Sequence, residues 1–187
     1  ARGDDYHDLM DKKLAALEQT LQQEFGPGLS SRHYCDTGPL SEKAWATAAG
    51  LGWIGKHSLV INQAKGSWLI LAEILLSLEL QADSPAPDLC GSCTRCLDAC
   101  PTQAFPQPGV LDANKCLSYL NIEHRGPIPE EYQAAMGLNL YGCDICQDVC
   151  PWNRQHLIGP HSAPFEPRPS LQPVDLDAIE ALDQAGF

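Results

Sequence analysis

Eight of the nine cysteines in this chain fall into a spacing that few folds can accommodate. Cys90, Cys93, Cys96 and Cys100 form C-x2-C-x2-C-x3-C, and Pro101 follows at once. Cys143, Cys146 and Cys150 repeat the last three positions of that run, followed by Pro151. The position missing from the second run is best filled by Cys116, displaced upstream by an insertion of 26 residues (117–142). Such spacing lets three thiolates of one tight loop reach one 4Fe–4S cluster, while the fourth reaches across to a second cluster. The expected sets are Cys90, Cys93 and Cys96 with Cys150, and Cys100, Cys116 and Cys143 with Cys146.

Other uses of cysteine fit this spacing less well. A structural zinc site takes four ligands, usually from paired C-x2-C knuckles, and a triple closed by x3-C-P is not that pattern. Disulfide frameworks belong to short secreted chains. Here the cysteine count is odd, the chain has 187 residues, and no hydrophobic signal segment opens it. Cys35 is left over, with a small buried hydrophobe or inert thiol as its expected role.

At 44% hydrophobic residues the chain has material for a core in one or two domains. The longest apolar stretch, Trp68 to Leu80, is broken by Glu73, Ser77 and Glu79. It is too short and too polar to span a bilayer. A reducing, cytoplasmic setting without a membrane is therefore expected. The formal net charge of −12 argues, taken alone, against a nucleic-acid partner, because phosphate binding needs a basic face. It suits a protein that docks small electron carriers or works within a larger assembly.

The sequence divides at breaker-rich joints. Residues 1–82 read as α/β material, 83–155 as a ferredoxin-like two-cluster domain, and 156–187 as a Pro-rich linker leading into a helical tail. Asp83-Ser84-Pro85-Ala86-Pro87-Asp88 marks the first boundary. Leu9, Met10, Leu14, Leu17 and Leu21 make a helical stripe expected to be core, stopped by Gly26-Pro27-Gly28. A second helix is expected from Ser41, as cap, to Ala49, with Gly50 as its stop. Ser58 to Asn62 and Trp68 to Glu73 suggest paired strands around Ala64-Lys65-Gly66. In the tail, Val174, Leu176, Ile179 and Leu182 stand at helical spacing, with Asp175 as a cap. Both ends read as cuts through a longer chain.

Three short motifs imitate known sites. Gly50-Leu51-Gly52-Trp53-Ile54-Gly55-Lys56 is close to a phosphate-binding loop, but such loops need a strand before and a helix after. Here the order is reversed, and His57 stands where a magnesium-binding hydroxyl belongs. A bend in which backbone approaches a neighbour closely is the better reading. Asp36-Thr37-Gly38 looks like an aspartic-protease triplet without the second copy that chemistry requires. Asp5-Tyr6-His7 begins like a cobalamin-binding D-x-H-x-x-G motif, but Met10 replaces the glycine, so His7 is not assigned to cobalt. Asp36 itself stays open between an Asx turn and a chemical role, with the turn favoured on local sequence.

The order of segments then resembles a known family. Asp36-Thr37-Gly38-Pro39-Leu40, Gly50 to Leu59, the first cysteine run, Cys116-Leu117-Ser118-Tyr119-Leu120, Ile128-Pro129-Glu130-Glu131, Tyr141 to Gln147 and Cys150-Pro151-Trp152-Asn153 together resemble the epoxyqueuosine reductases. That family is similar to the reductive dehalogenases. The resemblance implies an α+β fold: a portion of an α/β nitroreductase-like cobalamin domain, then the two-cluster domain, then the start of a helical tail. It implies reduction of epoxyqueuosine in a tRNA anticodon to queuosine, with cobalamin at the reactive centre and an outside single-electron donor such as ferredoxin or flavodoxin. It implies Asp36 as proton donor, and Asp36, Val60, Ser118, Cys143, Asp144, Ile145 and Cys146 as cobalamin contacts. It also implies Arg125 as a tRNA contact, against the plainer reading of a solvated arginine, and a monomer. Family members carry further segments upstream and downstream, so activity of this portion alone is not expected to be guaranteed. A plain two-cluster electron-transfer module and an organohalide dehalogenase are the alternatives.

Opening an epoxide leaves an alkoxide, which departs poorly unless protonated, so a positioned acid is required. To stay protonated near neutral pH, Asp36 would need an apolar, desolvated setting. Trp53 and Ile54 are the expected walls of such a setting.

Overall fold

The computed structural model describes residues 3–154, 165, 166 and 181. The tail helix expected around Val174 to Leu182 lies outside the described residues.

The first helix, α1, runs Tyr6–Phe25. Asp5 caps it by accepting from the His7 backbone N–H, and Gly26 ends it at φ 92°, a conformation that favours glycine. Its apolar stripe is only partly core. Leu14 is buried, but Leu17 is 48% exposed. The reason is the partner: α1 lies on a sheet of just two strands, too narrow to cover the whole stripe. These strands are β1 (Ser31–Tyr34) and β4 (Glu73–Leu76), paired antiparallel with His33 opposite Ile74 and Tyr34 opposite Glu73.

The second helix, α2 (Glu42–Ala48), begins after Ser41 as expected, although the Ser41 hydroxyl makes no capping bond. Gly50 follows at φ 68°. The glycine-rich stretch then folds as a tight hairpin. Its strands are β2 (Trp53–Ile54) and β3 (Val60–Ile61), with Trp53 opposite Ile61 and Ile54 opposite Val60. A turn closes it, with Gly55 N–H donating to Leu59 O at 2.8 Å and Ser58 N–H to Gly55 O at 2.9 Å. Gly52 lies directly against the Ile61 carbonyl, where a Cβ would collide. The glycines thus serve close backbone approach.

The strand pairing differs from the sequence expectation. Val60–Ile61 pairs with the glycine-rich segment itself, and most of Trp68 to Glu73 is irregular. The second strand begins only at Glu73 and reaches back to Ser31. Asn62 explains the break. Its carboxamide turns the chain, accepting from Ala64 N–H at 2.9 Å and Lys65 N–H at 3.0 Å, and Asn62 bridges only to Gly66.

Among the described residues the cysteine-rich half contains the short α-helices α3 (Arg95–Ala99), α4 (Leu117–Ile122), α5 (Glu130–Met136) and α6 (Ile145–Asp148). Helices α3 and α6 pack together. The insertion is not an open loop. It is built from α4 and α5, with Leu117 and Leu120 buried. Asn121 closes its far end, donating to Asn139 O at 2.9 Å and Gly142 O at 3.1 Å and accepting from Gly142 N–H at 2.9 Å.

The two halves share one interior. Trp53, Ile61 and Cys150 form a buried cluster with Cys90 and Trp152 against it. Trp53 and Trp152 meet edge to face, centroids 5.0 Å apart, a geometry worth about 1 kcal/mol beyond burial. Beside them sits a polar knot around Asn153, which is fully buried. It accepts from Ser67 N–H at 2.6 Å and donates to Ser67 Oγ and to Gln147 O, both at 2.8 Å.

Candidate cluster sites and active site

The eight paired cysteines line two cavities. Cys90, Cys93, Cys96 and Cys150 line one, together with Lys56, His57, Ile61, Pro151 and Trp152. Cys100, Cys116, Cys143 and Cys146 line the other, with Ala104, Phe105, Leu117 and Ile145 among its apolar walls. These are the two groupings the spacing predicts. The packed helix pair explains the exchange of the fourth thiol. Cys96 stands in α3 and Cys100 at its end, four residues on. At about 1.5 Å per residue that separation is near 6 Å, enough to pass from one cavity to the next. Cys146 stands in α6, and Cys150 follows four residues on, just past the end of that helix.

The chemistry of the donors suits clusters. Soft thiolates favour iron–sulfur centres. Burial, then the neighbouring thiols led by Cys143, pushes Cys146 up to about 12. Burial likewise raises Cys96, Cys143 and Cys150. Four such thiols do not ionise together unless positive charge enters between them. Iron supplies that charge, and its binding releases the protons. The thiols ring two spaces, four to each, as a multi-atom centre needs.

Residues far from the cysteine runs complete the first cavity. Trp53 donates its indole N–H to Cys90 Sγ at 3.4 Å. Lys56 donates to Gly91 O at 2.8 Å and Cys93 O at 2.9 Å, tying the cysteine loop to the hairpin. His57 is buried; burial holds its imidazole below the usual histidine range. Sequence reasoning missed these roles. The contacts span 35 to 37 residues, and the glycine run around Lys56 imitates a phosphate loop.

Asp36 sits after β1 in an exposed loop, at φ 62°. A non-glycine residue rarely adopts this left-handed region, although Asp tolerates it better than most. Its carboxylate accepts from the Tyr6 hydroxyl at the start of α1, not from backbone two residues on. The Asx turn is thus replaced by a long-range contact that no local pattern signals. Its backbone N–H donates to Glu42 Oε1 at 3.2 Å. The expected apolar walls lie elsewhere. Strand alternation turns Trp53 into the cluster-side core and leaves Ile54 41% exposed. Both carboxylate oxygens of nearby Glu73 are buried without a partner. Burial, then Glu42 and Asp36, raises its pKa above the ordinary range. Cys35 is buried and donates to Leu71 O at 3.3 Å, the behaviour of an inert thiol.

The remaining candidates are dispersed. Val60 is buried within the hairpin. Ser118 is half-buried on α4, and Asp144 is exposed at the head of α6, accepting from Gln147 Nε2–H at 3.2 Å. Arg125 is exposed and in no salt bridge among the described residues. No hydrogen bond joins Asp36, Val60 and Ser118 within the described residues.

Residues 89–153 match a family model described as a 4Fe-4S double cluster binding domain, and residues 1–37 match the model "Epoxyqueuosine reductase QueG, DUF1730". An epoxyqueuosine reductase of Cellulophaga algicola is 48% identical over 172 residues, covering 91% of this chain and 55% of the relative. A crystal structure of epoxyqueuosine reductase with an epoxyqueuosine-modified tRNA-Tyr stem loop superposes at a TM-score of 0.91. It is 38% identical, covering all of this chain and 49% of that one. The Bacillus subtilis epoxyqueuosine reductase, solved with an aspartate-bearing catalytic loop swung out of the active site, superposes at 0.91 with 37% identity and the same coverages. The chain spans about half the length of the curated relatives it matches. Within that span, sequence and fold agree: the chain belongs to the epoxyqueuosine reductase family.

Proposed function

We propose that the chain forms the cluster-bearing core of an enzyme that reduces epoxyqueuosine to queuosine in a tRNA anticodon. The observation that carries this reading is the pair of four-thiol cavities, set in a chain similar along its whole length to reductases of that name. The reaction removes the epoxide oxygen. Both C–O bonds break, two electrons and two protons enter, and the products are the alkene and water. Clusters held by Cys90, Cys93, Cys96 and Cys150 and by Cys100, Cys116, Cys143 and Cys146 would relay single electrons from an outside carrier. Val60, Ser118 and the Cys143–Cys146 turn would contact cobalamin, which would supply the reducing chemistry at the substrate.

The proton is the part this chain's own residues address. Tyr6 engages Oδ2 of Asp36, so Oδ1 is the atom that delivers a proton to the departing oxygen. Asp36 is exposed, open to a substrate too large to enter a closed pocket. The Bacillus subtilis relative is described with an aspartate-bearing catalytic loop, which supports an aspartate in this role. Arg125 offers an unpaired charge to tRNA phosphate. The setting is the cytoplasm, where the tRNA is; no helix among the described residues is long and apolar enough to cross a membrane.

The test is turnover of epoxyqueuosine-modified tRNA by the full-length enzyme carrying Asp36→Asn. The substitution preserves size and hydrogen bonding but cannot donate an acidic proton. The expected loss is on the order of 10²–10⁴ in kcat, with clusters and fold intact. A kcat near that of the unsubstituted enzyme would remove Asp36 from the mechanism.

A further inference from the structure

His57 is 2% exposed and lines the cavity of Cys90, Cys93, Cys96 and Cys150. Its Nδ1 accepts from the Leu59 backbone N–H at 3.3 Å. A ring nitrogen that accepts carries no proton, so the proton of the neutral imidazole sits on Nε2. That Nε2 is buried and has no hydrogen-bond partner in the protein. An unpartnered buried donor is costly, and such orphans in native folds call for an explanation. Gly55 makes room for the ring on its other side: a Cβ there would stand 3.1 Å from Cε1.

We infer that the Nε2–H of His57 donates a hydrogen bond to a sulfur of the cluster held by Cys90, Cys93, Cys96 and Cys150, and so sets that cluster's reduction potential. The inference rests on reading those four thiols as one cluster's ligands. The cluster then supplies the partner that the protein withholds. Trp53 already plays a similar part from the same hairpin, with its indole N–H on Cys90 Sγ. The other cavity has no ring donor among its lining residues; there Cys100 Sγ meets the Ala104 backbone N–H at 3.3 Å and the Thr102 hydroxyl at 3.6 Å. A cluster gains negative charge on reduction, so an N–H···S bond stabilises the reduced form more and raises the potential. The hairpin thus distinguishes two sites that the cysteine runs alone would make nearly equivalent.

The test uses anaerobically prepared, cluster-loaded full-length protein. First, histidine is labelled with nitrogen-15, and the reduced clusters are examined by pulsed electron paramagnetic resonance. A weak coupling to one histidine nitrogen is expected, and its absence overturns the inference whatever the variants do. Second, His57→Phe removes the donor and keeps a buried ring. Redox titration should show one cluster shifted to more negative potential, the second unmoved, and iron and sulfide content unchanged. An unshifted potential with both clusters present overturns the inference. If His57→Phe fails to assemble, the label decides. Protein that holds no clusters at all would instead overturn the ligand reading beneath it.

Discussion

His33 shows how much a single side chain contributes to holding the first helix. It bridges α1 and β1, with Nε2 on Asp11 Oδ1 at 2.9 Å and Nδ1 on Glu18 Oε2 at 2.8 Å. The hydrogen bond to Asp11, then that to Glu18, raises its pKa above the ordinary 6.5. A raised folded value means the charged ring is worth more in the folded protein. That stability is fully present below pH 6.5 and fades as pH climbs through the higher folded value. His33→Gln should therefore lower Tm by roughly 1–3 °C near pH 6, with the difference vanishing at high alkaline pH. Thermal melts across that range check it; a pH-independent difference would show that the bridge acts by shape alone. None of this was legible beforehand, because Asp11, Glu18 and His33 lie on two elements whose packing has no local signature. Asp36 is the mixed case. The family resemblance marks the residue, but its partner Tyr6 lies thirty positions away and its exposure runs against a desolvated acid.

At the scale of elements, α1 and α2 are legible, while the short helices α3 to α6 and the sheet pairing are not. The stopping Gly26 acts through bonds between near neighbours in sequence. The stop at Gly50 works the same way, by left-handed backbone. The short helices, by contrast, carry no full apolar period of their own. Strand pairing depends on contacts between distant residues, so the apolar run at Trp68 to Glu73 carries no local sign that Glu73 pairs back to Tyr34. The glycine run is harder still: it reads as a bend and folds as the hairpin that walls a cluster cavity. The joint between the two halves is the Asn153 knot, where Ser67 and Gln147 meet one carboxamide. Asn153→Ala leaves the Ser67 N–H buried and unpaired, a cost of about 1–3 kcal/mol, while the Gln147 carbonyl keeps the Cys150 N–H at 3.0 Å. Tm should fall by roughly 3–12 °C, and cluster content should drop because Cys150 and Trp152 adjoin the knot. A melt within 2 °C or so of the unsubstituted protein would mean water replaces the lost bonds.

For the whole molecule, the cysteine spacing was the strongest signal because iron–sulfur geometry leaves it little freedom. It named the two groupings before any fold was known, including Cys116 across the insertion. It did not reveal that Trp53, Lys56 and His57 make the first cavity a joint product of both halves, so the boundary at 83–88 separates sequence composition more than structure. On the proposed function, the acidic balance of −12 is a poor guide to partners. Net charge averages over a surface, while a relative of this chain is solved with a tRNA stem loop.

The central claim is that these eight thiols hold two clusters in two defined sets. It is tested most directly by iron and acid-labile sulfide analysis, with metal identification, on anaerobically purified protein and its Cys116→Ser variant. The account predicts about eight irons and eight sulfides per chain, falling to roughly half in the variant as one cluster is lost and the other kept. Stoichiometric zinc without iron, or a variant that keeps its full iron content, would contradict it.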